Sequence, residues 1–274
     1  MRYLSWIVIL STLTVANAAF AEVITLTDPK GDDKGPGTYE YPTDGVYRPG
    51  SFDLTKVTFE SSGDDTIIEV EIAAKIEDPW DSSAWGGNGF SLQFVQIYLD
   101  TNKATGSGHA ETLPGLNARF SSESAWEKVV LISPQGKNRL QSEVNAKAKA
   151  LKDDVVIPRK TSVKGRTLRA VVSNADLGSA VAKGWGYQVV MQSNEGFPDK
   201  SDLLTRKVNE YAGPHRFGGG SDWECDPHII DMVAGGASGN PDETKAQADA
   251  LKYTCDKGGD VGKSTLATLP MVYR

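Results

Sequence analysis

The residues best suited to chemistry lie near the start of the chain, in the segment DPKGDDKGPG at positions 28–37. Its carboxylates, Asp28, Asp32 and Asp33, alternate with glycines that let the backbone turn sharply. Calcium prefers carboxylate and carbonyl oxygens as ligands. The composition therefore predicts a loop that wraps an ion. The alternative is a solvated turn shaped by aspartate side chains that bond to nearby backbone.

A second group of candidate residues is aromatic. Trp80 and Trp85 stand in DPWDSSAWGGNGFSLQ, a loop rich in glycine, serine and aspartate. They are either anchors packed on the end of the fold or flat apolar faces for a sugar ring, whose hydroxyls neighbouring polar groups would bond. Trp126 begins a predicted strand, where a core position is favoured, and Trp223 lies in a glycine-rich turn.

The motifs of catalysis do not fit the sequence. In KGGDVGKST, Lys257 occupies the position where a phosphate-binding loop requires its first glycine. The segment DTNKATGSGHAE begins like an EF-hand, but Ala104 replaces a ligand. The three histidines lack the spacing of a zinc protease, and no GxSxG nucleophile elbow is present. We therefore expect a protein that is not an enzyme.

The N-terminus predicts export. Arg2, the apolar run WIVILSTLTV and the small residues ANAAFA match a signal peptide over residues 1–21, cleaved after Ala21. No later stretch has the length of a transmembrane helix. We expect a periplasmic or extracellular protein, in which Cys225 and Cys255 form a disulfide. The formal net charge of −7, without a basic cluster, argues against nucleic acid as a partner.

The elements that must position these residues are mostly strands. IIEVEIAA alternates apolar residues with glutamates, and FSLQFVQIYLD, WEKVVLIS, RTLRAVVS and YQVVMQS add further β-rich runs. NPDETKAQADALKY predicts a helix, with Asn240 as its cap and Pro241 at its first position. NADLGSAVA predicts a short helical turn, and residues 139–160 have no assignment. These patterns predict an all-β sandwich, one domain over 22–274, with a helical, disulfide-tied extension at about 234–274.

Several segments, taken in order, resemble a known family. They are the opening block from DPKGDD to LTKVTF, then DPW, NGFSLQ, IYLDT, TLPGLNA, GWGYQVVMQSNEGF, HRFGGGSD, PHIIDM and LPMV. The string resembles the glucodextranase C-terminal-like domain, which is grouped with DOMON-like sandwiches and family 9 carbohydrate-binding modules. The resemblance implies an immunoglobulin-like antiparallel β-sandwich, often appended to secreted enzymes that act on α-glucans, and a sugar-binding role. Here the module is expected to stand alone.

Two sets of site residues follow as hypotheses. The predicted calcium ligands come from the opening loop, from GSFDLT and from HIIDM: Asp28, Asp32, Asp33, Asp53 and Asp231. The predicted ligand-binding residues for a glycan or a cell-envelope polysaccharide are Trp80, Trp85, Trp126, Asn194, Glu195 and Trp223.

Two other classes of function stay open. A DOMON-type electron-transfer subunit would hold haem b, with Met191 in YQVVMQS as a possible axial ligand, although a core methionine is favoured. A structural envelope or surface-layer component would instead bind envelope protein partners.

Overall fold

A computed structural model describes residues 22–194, 206–223 and 225–274. The predicted signal peptide, residues 1–21, and Glu195 lie outside the described residues. Among the helices of the described part, none is long and apolar enough to cross a membrane.

The described residues form thirteen strands and three α-helices. The strands are β1 (Val23–Thr27), β2 (Leu54–Ser62), β3 (Asp65–Ile72), β4 (Gln93–Asp100), β5 (Ala118–Phe120), β6 (Lys128–Ile132), β7 (Val155–Val156), β8 (Lys160–Lys164), β9 (Thr167–Ser173), β10 (Gly186–Ser193), β11 (Asp231–Met232), β12 (Ala267–Leu269) and β13 (Val272–Tyr273). The helices are α1 (Lys137–Lys147), α2 (Asn174–Leu177) and α3 (Asp242–Ala250), and a 3₁₀ turn covers Ser82–Trp85.

Two large sheets face each other. The first has five antiparallel strands in the order β1-β2-β3-β9-β8. The second has the order β11-β10-β4-β6-β7, and β13 also pairs with β10. A small parallel pair, β5 and β12, stands apart from both. The predicted all-β sandwich is confirmed.

The core lies between the two large sheets and continues behind the second one. In β3, Ile68, Val70 and Ile72 are buried while Glu69 is exposed, as the alternation predicts. Every residue of β4 and β10 is buried, because the second sheet is covered on both faces. One face packs against the first sheet, and the other packs against α1, the small sheet and the segment after α3.

The helices agree only partly with the sequence pattern. Helix α3 is found where it was predicted, but its first residue is Asp242, one after Pro241. The amide of Asn240 donates to the Ser238 hydroxyl, and the Glu243 carboxylate accepts backbone N–H groups of the loop before the helix. Helix α1 overlaps residues 139–160, which had no assignment from the sequence. Only Leu140 and Val144 of its residues are buried, so the helix has little apolar periodicity to recognise.

Candidate functional site

The opening loop, residues 28–37, follows β1 and is attached to both sheets. The N–H of Asp28 donates to the Thr55 carbonyl of β2 at 3.1 Å, and the N–H of Gly35 donates to the Ile230 carbonyl at 2.7 Å. The side chain of Gln247, in α3, donates to the Asp32 carbonyl at 2.7 Å. The loop is therefore a fixed part of the sandwich, held at the end where β2 begins and β11 lies.

Three carboxylates converge inside this loop. Asp28, Asp32 and Asp231 each offer an oxygen, and the three oxygens lie within 4.8 Å of one another. All three side chains are buried. Asp231 reaches the cluster from β11, and its two oxygens accept the N–H groups of Leu54 and Met232 at 2.6 and 2.9 Å.

Several oxygens of the cluster lack a hydrogen bond. Both carboxylate oxygens of Asp28 and Oδ1 of Asp32 are buried and have no partner among the described residues. The other oxygen of Asp32 accepts the Thr244 hydroxyl at 3.0 Å. Buried polar atoms normally find a partner, and buried charges are normally paired or coordinate a metal. Three close, buried carboxylates, two of which have unpartnered oxygens, fit a hard cation such as Ca²⁺.

The same arrangement perturbs the acidity of the cluster. Burial, followed by the charges of Asp32 and Asp53, raises the pKa of Asp28 to about 9. Burial, followed by the charge of Asp28, raises the pKa of Asp231 well above its ordinary range. Burial also raises the pKa of Asp32. Without a cation, the cluster favours protonated carboxyl groups at neutral pH, and a bound cation would favour the ionised form.

The other two predicted calcium ligands, Asp33 and Asp53, lie outside this group of three. Asp33 accepts a hydrogen bond from the Tyr41 hydroxyl. Oδ2 of Asp53 accepts the N–H of Gly31 at 2.9 Å, while its Oδ1 is buried without a partner in the described part of the chain. Burial is the main cause that raises the pKa of Asp33 and raises the pKa of Asp53 to about 7. Both residues line a neighbouring cavity.

This cavity, of about 900 Å³, lies between the opening loop and the residues leading to β2. Tyr39, Tyr41 and Tyr47 contribute aromatic walls, and Lys30 and Lys34 are exposed residues of its lining. The volume falls within the roughly 300–1,000 Å³ typical of small-molecule sites.

Trp80 and Trp85 lie side by side near this region. Trp80 is half-buried against the core, and its ring meets the His215 ring edge-on at 5.3 Å. Trp85 is 38% exposed, and its indole N–H donates to the Trp80 carbonyl at 3.3 Å. Since His215 also contacts Tyr47, at 6.0 Å between ring centroids, an aromatic row connects the tryptophan loop with the cavity.

The remaining predicted ligand-binding residues are dispersed. Trp126 is 0% exposed, packs against Tyr98 in the core behind the second sheet, and donates its indole N–H to the Glu111 carbonyl at 2.8 Å. Its place in the ligand-binding set is therefore corrected, because a sugar cannot reach a ring enclosed by core residues. Asn194 is likewise buried, and its side-chain amide donates to the Ser91 carbonyl at 3.1 Å. This hydrogen bond gives Asn194 a structural role.

Trp223 and the cysteines form a separate region. Trp223 is 44% exposed and lies over Gly259. The disulfide between Cys225 and Cys255 is confirmed, with 5.6 Å between Cα atoms, and it ties the loop of Trp223 to the segment after α3. Met191 is buried in the core between the sheets.

A family model described as the C-terminal binding module, SLH-like, of glucodextranase matches residues 23–271. The chain belongs to this family. No curated protein matches the chain. The family of binding modules is non-catalytic, and its description indicates a carbohydrate-binding role.

The sequence did not predict the tyrosines of the cavity, nor the histidine that connects them with the tryptophan loop. Tyr41 and Tyr47 belong to TYEYPTDGVYRPG, and His215 belongs to a distant hairpin. The hairpin joins the opening segment through the N–H of Thr43, which donates to the Gly213 carbonyl at 2.9 Å. The only local signal was the density of tyrosines next to the acidic loop.

Proposed function

We propose that this chain is a non-catalytic, exported carbohydrate-binding module whose opening loop is stabilised by calcium. The observation that carries the proposal is membership of the glucodextranase binding-module family over residues 23–271. The Cys225–Cys255 disulfide supports an oxidising, extracytoplasmic location. α-Glucans are the first ligands to test, since the family is named after an enzyme that acts on such a polymer.

Two features support sugar binding. Trp85 offers an exposed ring beside the half-buried Trp80, and aromatic faces pack against the apolar faces of sugar rings. The aromatic row through His215 continues this surface into the cavity. Aromatic and polar groups thus lie together at one end of the sandwich.

The buried aspartates support the calcium part of the proposal. Asp28, Asp32 and Asp231 would hold the ion, which would satisfy carboxylate oxygens that otherwise lack partners. A bound ion would supply the positive charge that these carboxylate oxygens coordinate, and its role would be structural. These ligands would join the opening loop to β11, so calcium would stabilise the sandwich end that carries the cavity.

A glycan-binding experiment tests the function. Isothermal titration of isomaltotriose and maltotriose into the protein, with excess calcium, should show saturable binding. Trp85→Ala should weaken it, whereas Val23→Ala, at an exposed apolar residue of β1, should not. Absence of binding to these sugars and to a wider glycan array would contradict the proposal.

The term SLH-like in the family description favours a second candidate function, attachment to an envelope polysaccharide. The same chemistry would recognise both ligands, so the experiment must separate the sources. Co-sedimentation with isolated cell-wall polysaccharide, in competition with soluble dextran, distinguishes them. Retention on cell wall in the presence of excess dextran would favour the envelope role.

A further inference from the structure

We propose that the cavity lined by Asp33, Asp53, Tyr41 and Tyr47 is the site where this module binds a sugar ring. The inference rests on the proposed carbohydrate-binding function and deepens it, because it moves the main binding site from the exposed tryptophans to the cavity. The ligand class is a neutral pyranose, recognised through its hydroxyl groups and its apolar ring face.

The polar lining of the cavity includes two carboxylates, which are hydrogen-bond acceptors. Asp53 is 4% exposed and lines the cavity, and its Oδ2 accepts the N–H of Gly31, another residue of the lining. Asp33 is 5% exposed and stands on the same lining. A carboxylate on the lining of a cavity can accept a sugar hydroxyl, and hydrogen bonds to charged groups are stronger than neutral ones.

The aromatic lining of the cavity is held in place by ring contacts. Tyr41 packs edge-on against Phe52 at 5.7 Å, and Tyr47 stacks on the same ring at 6.3 Å. Phe217 contacts both Tyr41 and Phe52, at 5.1 and 5.0 Å. The tyrosines are therefore held by a packed aromatic cluster. A wall ordered before binding lowers the entropy cost of association.

The opening loop connects the cavity with the proposed cation site. Asp32 turns into the carboxylate cluster, whereas the adjacent Asp33 turns to the cavity. Gly31 contributes to the lining and donates its N–H to Asp53. Since one short loop builds both sites, order imposed at the cluster also fixes the cavity wall. Sugar binding should consequently be weaker in a chelator than in calcium.

Isosteric variants test the assignment. Asp33→Asn and Asp53→Asn keep the shape of the side chain but remove its charge and one acceptor. Asp64→Asn is the matched control, because Asp64 is exposed in the turn after β2, about 30 Å along the strand from Asp53. Affinity for isomaltotriose and maltotriose is measured by titration in excess calcium, and melting temperatures confirm that each variant is folded.

We expect each cavity variant to lose at least about tenfold in affinity, while the control stays within about twofold of wild type. Wild-type binding that persists unchanged in both cavity variants would overturn the cavity assignment and leave the carbohydrate-binding function intact. Failure of the wild type to bind any glycan would instead overturn both. The two failures are therefore distinguishable.

Hydrogen exchange gives a second readout that does not need variants. Saturating isomaltotriose should slow amide exchange in peptides that cover residues 30–53. Peptides that cover the β2–β3 turn and the start of β3, far from the cavity, should exchange at unchanged rates. Protection confined to residues 80–90, around the tryptophans, would contradict the cavity assignment.

Discussion

Replacement of Asp28 by asparagine should have opposite effects on stability with and without calcium. Burial and neighbouring carboxylates raise the pKa of Asp28 from 3.8 to about 9. Between these pH values, in a chelator, the folded state keeps a proton that the unfolded state releases. Stability should therefore be greatest below about pH 4 and fall by about 1.4 kcal/mol for each pH unit until about pH 9.

The size of the effect at pH 7 follows from this linkage. About three pH units separate the ordinary pKa of Asp28 from neutrality, which corresponds to about 4 kcal/mol of lost stability in the metal-free protein. Asparagine does not ionise, and its amide can donate to the carboxylates of Asp32 and Asp231. We expect Asp28→Asn to stabilise the chelated protein by about 2–4 kcal/mol, or roughly 5–15 °C in melting temperature.

Calcium should reverse the order. Calcium at a thousand times its dissociation constant stabilises the wild type by about 4.1 kcal/mol, which exceeds the advantage expected for the variant in chelator. The variant lacks one charged ligand, so it should gain much less. Differential scanning calorimetry of wild type, Asp28→Asn and the control Asp64→Asn, each in calcium and in EDTA, measures the effect of the substitution and the effect of calcium on stability. An Asp28→Asn protein that melts below wild type in both buffers, or a wild-type melt that calcium does not change, would refute the reasoning.

Three further predictions concern other parts of the chain. Replacing both Cys225 and Cys255 with serine opens a loop of 30 residues and should cost about 3–4 kcal/mol, measured by denaturant unfolding; an unchanged midpoint would contradict this. Trp126→Ala should destabilise the protein by about 3–5 kcal/mol because the ring is fully buried, whereas Trp85→Ala, at a partly exposed ring, should cost under about 1 kcal/mol. Equal losses of stability in the two variants would contradict this difference in burial. In EDTA, the ionisation of Asp28 alone should lower the stability of the wild type by about 3 kcal/mol between about pH 5 and pH 7. Thermal melts that show stability rising over this range would contradict the prediction.

The sheet architecture could be predicted from the sequence because strand alternation is local. Val95, Ile97 and Leu99 face the first sheet, as the pattern of FSLQFVQIYLD predicts, while Phe94 and Tyr98 lie in the core behind the second sheet. That second core could not be predicted, since its covering elements come from distant parts of the chain. Helix α1 was missed because its apolar face is only one turn long.

The site could be predicted only in part. Asp28, Asp32 and Asp231 were all among the predicted calcium ligands, and the structure brings Asp231 to the other two through β11. The orientation of Asp33 and Asp53 toward the cavity depends on individual backbone turns, which the residue types do not determine. The contact of His215 with Trp80 and Tyr47 depends on a hairpin about 130 residues away from Trp80 in sequence, so no local pattern reveals it.

The most direct test of carbohydrate binding is a glycan array probed with the purified protein in excess calcium. The account predicts saturable binding to α-linked glucose oligosaccharides, with weaker signal when calcium is chelated. An array without signal for any glycan, from a protein shown by its melt to be folded, would contradict the central claim.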